Sequence, residues 1–207
     1  MNDLPHSPAA ERNKQPILDV LLQALPASGT ALEIASGTGQ HVTWFAAGLP
    51  HWVWQPTDWQ AAHFPALAAR VAQERLTNVR PPVLLDVMAP RWLADSLAQE
   101  GYRFDLIYCA NMLHIAPWAT CAALMQGSAR CLTSGGQLVT YGPYLEKNVP
   151  TSPGNVSFDQ SLRAQNPVWG IRKREDVETE AARAGLQLSA RHIMPANNLL
   201  LVWTQTG

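Results

Sequence analysis

Cysteine is scarce in this sequence. Cys109, Cys121 and Cys131 are its three thiols, and no two of them form a C-x-x-C pair. Neither a disulfide framework nor a thiolate zinc site is expected, so no metal is assigned. Long apolar runs are missing as well. None exceeds five residues, Leu199 to Trp203 among them, whereas a membrane span needs about 20. Residues 1–12 lack a basic segment followed by an apolar core, so no secretory signal is expected. Neither sign of charge dominates: 15 Lys and Arg face 16 Asp and Glu, for a net charge of −1. Without a basic stripe, a sequence-independent grip on nucleic acid is not indicated. These absences together favour a cytoplasmic protein that meets small molecules and makes no contact with a membrane.

What is present is ordinary for a globular chain. Apolar residues make up 47% of the 207, and a chain of this length buries roughly 70% of its unfolded surface without staples. One domain is expected over residues 1–207. The eight tryptophans read singly as core or pocket wall.

Helical spacing of Ile17, Leu18, Leu21, Leu22 and Leu25 predicts a helix over 9–24, inside an N-terminal segment 1–28. The period then changes repeatedly. Strands are predicted over 30–35, 51–57, 83–87, 104–110 and 137–141. Helices are predicted after Gly39, over 65–76, over 91–100, and from Pro117 to a stop at Ser134-Gly135-Gly136. Pro56 places the end of the second strand near a loop. The inner face of the Pro117 helix reads as Trp118, Cys121, Ala122, Met125 and Ala129. Alternating strands and helices, with strands apolar on both faces, argue a parallel sheet between helical layers. Right-handed crossovers make it doubly wound. From Gly142 to Ile171 no period is sustained, apart from a turn of helix around 158–163. That stretch carries Tyr144, Phe158, Asp159, Arg163 and Trp169, and reads as an ordered flap over residues 142–171. A helix over 173–184 stops at Gly185. Strands over 186–193 and 198–204, joined by a short connection, form a C-terminal hairpin.

The most informative stretch is Leu32-Glu33-Ile34-Ala35-Ser36-Gly37-Thr38-Gly39-Gln40-His41. A strand ends in small residues and a helix begins at once. Glycines at 37 and 39 let a ligand approach bare backbone, with peptide N–H groups directed at it. In an open sheet this place lies at the switch in winding direction, where ligands bind. The dinucleotide fingerprint G-x-G-x-x-G is incomplete, because Val42 stands at the third glycine position. Asp58 closes the second strand, where a carboxylate accepts two hydrogen bonds from a ribose diol, or simply caps a helix. Asp86 follows the third strand and suits the exocyclic amine of an adenine, or a cap.

E-x-x-x-G-x-G-x-H, an acid after strand two and Asp-Val after strand three resemble a class I methyltransferase that uses S-adenosylmethionine. Ser7-Pro8-Ala9-Ala10-Glu11-Arg12-Asn13-Lys14, Trp54-Gln55-Pro56-Thr57-Asp58, Tyr141-Gly142-Pro143-Tyr144, and Ser161-Leu162-Arg163 with Trp169-Gly170-Ile171-Arg172 resemble the DUF938 family, which includes the vertebrate methyltransferase-like 26 proteins. The resemblance covers nearly the whole chain. It implies a Rossmann-like methyltransferase fold: a doubly wound, seven-stranded, mostly parallel sheet with a C-terminal antiparallel hairpin. It implies S-adenosyl-L-methionine as cofactor and S-adenosyl-L-homocysteine as product. By the same resemblance Ala35, Ser36, Gly37, Thr38, Gly39 and Gln40 surround the methionine part, with Glu33 fixing the loop. Asp58 holds the ribose, Trp59 lies beside the adenine, and Asp86 and Val87 border it. Asn111, Met112 and His114 line the sulfonium end.

Asn111-Met112-Leu113-His114 stands where some methyltransferases carry an Asn- or Asp-Pro-Pro-aromatic tetrad, and it lacks the prolines and the aromatic. That argues against methylation of amide or exocyclic amino nitrogens by that route. His114 is either a core histidine or a general base, with Tyr141 the second candidate base. Arg12, Tyr144, Asp159, Arg163 and Trp169 are candidates for the acceptor pocket, against a plain reading as solvated charge or flap packing. Methyl transfer to a small acceptor is the expected activity. The alternatives are a cofactor-binding protein without turnover and a nicotinamide-dependent oxidoreductase.

Overall fold

The computed structural model describes residues 4–93 and 103–206. Its elements, in chain order, are α1 (Pro8–Ala24), β1 (Gly29–Ile34), α2 (Gln40–Gly48), β2 (Trp52–Asp58), α3 (Phe64–Gln73), β3 (Val83–Leu84), β4 (Phe104–Ala110), α4 (Ala119–Cys131), β5 (Leu132–Leu145), α5 (Pro153–Gln165), β6 (Arg172–Lys173), α6 (Arg174–Arg183), β7 (Leu186–Met194) and β8 (Asn198–Gln205). The sheet runs β3-β2-β1-β4-β5-β8-β7, with β6 paired to β5 off that path. The pairs β1–β2, β1–β4, β2–β3 and β4–β5 are parallel, while β8 runs antiparallel to both β5 and β7. This is the doubly wound sheet with a closing hairpin that the alternation predicts.

Side-chain alternation along each strand divides the core in two. Leu32, Ile34, Ile107, Cys109, Leu138, Leu201 and Trp203 pack with Leu124 and Met125 of α4 and Val177 of α6. Ala31, Leu106, Tyr108, Val139, Leu200 and Val202 pack with Ile17 and Leu21 of α1 and with Val42 and Phe45 of α2. The helix spacing that predicts α1 therefore reports its buried face. Its start is fixed by Ser7, whose side chain accepts from Ala10 N, and by Pro8 in the first turn.

Pro56 lies within β2, opposite Glu33 and two residues before the strand ends, and four expectations about other elements change. On its other side Gln55 Nε2 donates to the Pro56 and Pro81 carbonyls, so a side chain stands where a ladder bond would be and a proline is tolerated. The third strand stops at Leu84, because Asp86 closes a turn by accepting from Met88 N (2.9 Å). The helix predicted from Pro117 starts at Ala119, and Trp118 is exposed, beside the Arg172 guanidinium at 5.7 Å. Ser134-Gly135-Gly136 does not end the segment. β5 begins at Leu132 and absorbs these residues as an irregularity, its pairing with β4 jumping from Phe104↔Leu132 to Leu106↔Gln137. At the far end β5 runs on through Gly142-Pro143-Tyr144, and the aperiodic stretch contains the 13-residue helix α5 and strand β6. The helix expected over 91–100 falls mainly outside the described residues.

Candidate functional site

The C-terminal ends of β1, β2 and β4 meet at one edge, where the winding direction changes. The turn after β1 is stitched to the end of β2. Ser36 N donates to Thr57 O (2.8 Å), Thr57 N to Ser36 Oγ (3.1 Å), and Thr57 Oγ1 to Glu33 O (2.6 Å). Three residues in the turn adopt left-handed backbone: Ala35 (φ +56°), Gly37 (+53°) and Gly39 (+84°). Gly39 has a second constraint, since a Cβ there would lie 2.7 Å from Leu67 Cγ of α3. Asp58 ties turn and strand together. Its Oδ2 accepts from Gly37 N (2.9 Å) and its Oδ1 from Gln60 N (3.0 Å).

In front of this turn lies a cavity of about 510 Å³. Of the residues assigned to a cofactor by sequence, Ala35, Gly37, Asp58, Trp59, Asp86, Val87, Asn111 and Met112 line it. Sequence reasoning missed His63, Leu85, Met88 and the run Ile115-Ala116-Pro117 with Thr120. Most of them are apolar, and their local pattern carries no signal of a cavity wall outside the fold. Trp59 is 69% exposed at the mouth. Asp86 lines the cavity and also caps its own turn.

Five of the expected residues are not in the wall. Ser36 is spent on the stitch to β2. Thr38 Oγ1 donates to Pro5 O (3.4 Å). Gly39 packs on α3. The Gln40 amide grips the backbone of Ser7, accepting from its N–H at 2.5 Å and donating to its carbonyl at 3.4 Å. Arg70 of α3 completes this clasp, with Nη2 to Pro5 O (2.9 Å) and Nε to Thr38 O (3.2 Å). Glu33 lies beneath the turn. It is 2% exposed, and among the described residues its Oε2 has no partner. Burial, aided by the neighbouring Asp58 charge and opposed by a hydrogen bond from Ser36, pushes its pKa up to about 8.

Behind Glu33, on the α1 face, runs a chain of polar groups. His41 Nε2 lies 2.6 Å from Asn13 Oδ1, and His41 Nδ1 lies 3.3 Å from the Tyr108 hydroxyl. The Asn13 oxygen only accepts, so Nε2 carries the proton and Nδ1 accepts from Tyr108. Burial, with Lys14 nearby, holds His41 down at about 4, so it is neutral. Tyr141 belongs to this same face. Burial in that core raises its pKa, opposed by the Asn13 and Asn198 side chains. The structure thus separates Tyr141 from His114.

His114 lies in a single 3₁₀ turn, Leu113–Ile115, directly after β4. It is 7% exposed and does not line the cavity, though Asn111, Met112, Ile115 and Ala116 on either side of it do. Among the described residues neither ring nitrogen has a hydrogen-bond partner. The Phe158 ring of α5 stands 5.5 Å away at 68°, and a Cβ on Gly142 would lie 3.5 Å from Nδ1. Burial, reinforced by the Arg172 charge, lowers the His114 pKa to about 4. The imidazole is therefore neutral at pH 7.

The residues assigned to an acceptor are dispersed. Arg12 is exposed on α1. Tyr144 is buried, donates to Thr140 Oγ1 (3.0 Å) and lines a smaller cavity of about 180 Å³ with Glu146 and Arg191. Asp159 and Arg163 form an ion pair on α5 (2.7 Å), and Trp169 is half-buried just beyond that helix. Burial pushes the Cys121 thiol up to about 12 and raises Cys109 as well, so neither is a nucleophile. Among the described residues no group of acidic, His and Cys side chains could hold a metal, and no helix is long and apolar enough to cross a membrane.

Over residues 4–205 the chain matches the family described as a protein of unknown function, DUF938. Solved structures share its fold. An O-methyltransferase family protein from Burkholderia thailandensis superposes with a TM-score of 0.75 at 16% identity, over 96% of this chain and 59% of its own. CalO1, a methyltransferase of calicheamicin biosynthesis solved with SAH bound, gives 0.72 at 15% identity, over 95% and 54%. An O-methyltransferase family 2 protein from Planctomyces limnophilus, in complex with apigenin, gives 0.73 at 16% identity, over 93% and 61%. The chain therefore spans between half and two-thirds of the length of these structures. At such identities the likeness establishes the fold, which is that of the S-adenosylmethionine-dependent methyltransferases.

Proposed function

This chain belongs to the DUF938 family, and from that premise we propose that it transfers a methyl group from S-adenosyl-L-methionine to a small-molecule acceptor. The observation that carries the reading is the cavity wall itself. A left-handed turn at Ala35 and Gly37 is coupled through Asp58 to the end of β2, and Asn111 and Met112 stand opposite. The volume of about 510 Å³ suits a ligand the size of an adenosyl amino acid. Each Asp58 oxygen accepts a single backbone N–H, which leaves acceptor capacity for a diol. Val42 is fully buried in the position of a third glycine, which weighs against a dinucleotide.

The cofactor, when bound, supplies an electrophilic methyl on a sulfonium and needs no metal. The chain's own part is to hold that group and the acceptor in line, which is worth up to roughly 7–11 kcal/mol. Asp58 holds the ribose. Trp59, Asp86 and Val87 bound the adenine side, and Asn111 and Met112 the opposite end. Where the acceptor must lose a proton, His114 is the residue assigned to take it at a ring nitrogen, since among the described residues neither nitrogen is spent on another hydrogen bond. The oxygen acceptors named by the structural neighbours, and the missing proline tetrad, favour a hydroxyl. The exposed apolar side chains of Ile115 and Phe158 beside His114 favour an apolar body on the acceptor. Three free thiols accord with action in the reducing cytoplasm.

The test is a screen of small-molecule extract with radiolabelled methyl donor, the labelled product being identified by mass. The reading predicts a labelled small molecule and slower labelling by His114→Ala with unchanged cofactor affinity. Wild-type labelling by His114→Ala removes the assigned base. Cofactor binding with no labelled product from any extract favours a non-catalytic binder.

A further inference from the structure

The segment from α5 to β6 encloses the turn that carries His114, and its contacts converge on one side chain. Arg172 Nε donates to Leu113 O (3.0 Å), and Nη2 donates to Ala116 O (2.6 Å) and to Val168 O (2.9 Å). One guanidinium thereby holds the residue before His114, the second residue after it, and the connection that follows α5. Two neighbouring contacts repeat the link. Gly170 N donates to His114 O (3.0 Å). Asp159 of α5 accepts Ile171 N on Oδ1 and Arg163 Nε on Oδ2, both at 2.7 Å. Arg172 is itself anchored by strand pairing with Tyr144, two residues beyond Gly142. The Phe158 ring that covers the imidazole belongs to the same unit.

A planar fork with fixed donors suits three carbonyls arranged around it, whereas a lysine ammonium is a point charge on a flexible stem without that fixed geometry. We propose that Arg172 is the positioning residue of this site, locking the His114 turn and the α5–β6 segment into one body so that imidazole and Phe158 are presented to the acceptor together. The proposal rests on reading His114 as the base. Arg172 touches main-chain carbonyls and not reacting atoms, so it acts through His114. Its charge is the one that bears directly on the imidazole, while Arg163 and Asp159 bear on Arg172.

Three proteins test this: wild type, Arg172→Gln and Arg172→Lys. The first readout is the imidazole titration of His114 by NMR, assigned by the signal lost in His114→Gln. Wild type is expected to titrate near 4. Arg172→Gln moves the midpoint upward, and Arg172→Lys, which keeps the charge, leaves it low. The second readout is amide exchange at Gly170, whose N–H reports the junction. It accelerates at least tenfold in both variants, while exchange in α1 keeps its wild-type rate. The third is labelling from radiolabelled methyl donor in small-molecule extract, which falls tenfold or more in both variants at unchanged cofactor affinity. Wild-type exchange at Gly170 in both variants overturns the proposal, as does acceleration spread equally over α1. Should the wild-type protein label nothing, the methyltransferase reading fails, and the titration and exchange still decide whether Arg172 positions the turn.

Discussion

Asp58 joins the glycine turn to the cavity, and its replacement has two separable consequences. Asp58→Ala removes a charge-assisted contact worth about 1.5–3 kcal/mol, so affinity for an adenosyl ligand should fall roughly ten- to 150-fold. It also frees the N–H groups of Gly37 and Gln60. Asp58→Asn keeps one acceptor oxygen and should fall between the two by calorimetry; wild-type affinity in Asp58→Ala contradicts the ribose assignment. Glu33 makes a different kind of prediction. Its pKa is about 8 in the folded chain against an ordinary 4.5. Between those values the folded state holds a proton that the unfolded state has released, so rising pH favours unfolding through this window. Glu33→Gln lacks that dependence. The difference in melting temperature, variant minus wild type, should grow from pH 5 to pH 8, and a constant difference would contradict an uncharged buried Glu33.

Among the elements, the turn between β1 and α2 is the one most constrained by backbone. Gly37 and Gly39 both have positive φ, yet their surroundings differ. A Cβ on Gly37 meets nothing within 4 Å, whereas one on Gly39 would lie 2.7 Å from Leu67 Cγ. Gly37→Ala should therefore cost only its conformational strain, about 1–2 kcal/mol. Gly39→Ala adds a clash with α3 and should cost about 1–3 kcal/mol more in urea unfolding; equal losses would show that α3 yields freely. This turn was legible in the sequence because glycine spacing and the switch from strand to helix period coincide there. α1 was legible because one buried face writes a helical period, and β4 and β8 because burial on both faces writes short unbroken apolar runs. β5 was not. Gly142 reads as its stop, and pairing with β8, Gly142↔Leu199 and Pro143↔Asn198, and then with β6, Tyr144↔Arg172, carries the strand past it. α5 was reduced to a single turn because Leu162 is its one buried residue, too little to set a period.

At the scale of the molecule, two cores flank one sheet, and the site lies where the winding reverses. Leu200 sits fully buried in β8 between α1 and the sheet, and Leu200→Ala should cost about 2–5 kcal/mol of unfolding free energy without altering the cavity. A loss of ligand affinity in that variant, at a temperature where it stays folded, would mean that the cavity depends on the hairpin. The sequence located the cavity through Asp58, Asp86 and the glycine turn. It placed Thr38 and Gln40 toward the ligand, whereas the structure turns both to the N-terminal segment, a partner 33 residues distant that no local pattern reveals. In the intact protein the cavity in front of the Ala35–Gly37 turn should take an adenosyl amino acid. Calorimetric titration measures this directly. Saturating heat with S-adenosylmethionine and S-adenosylhomocysteine, and none with a nicotinamide dinucleotide, is the predicted result; saturation by the dinucleotide with no heat from either adenosyl ligand would contradict it.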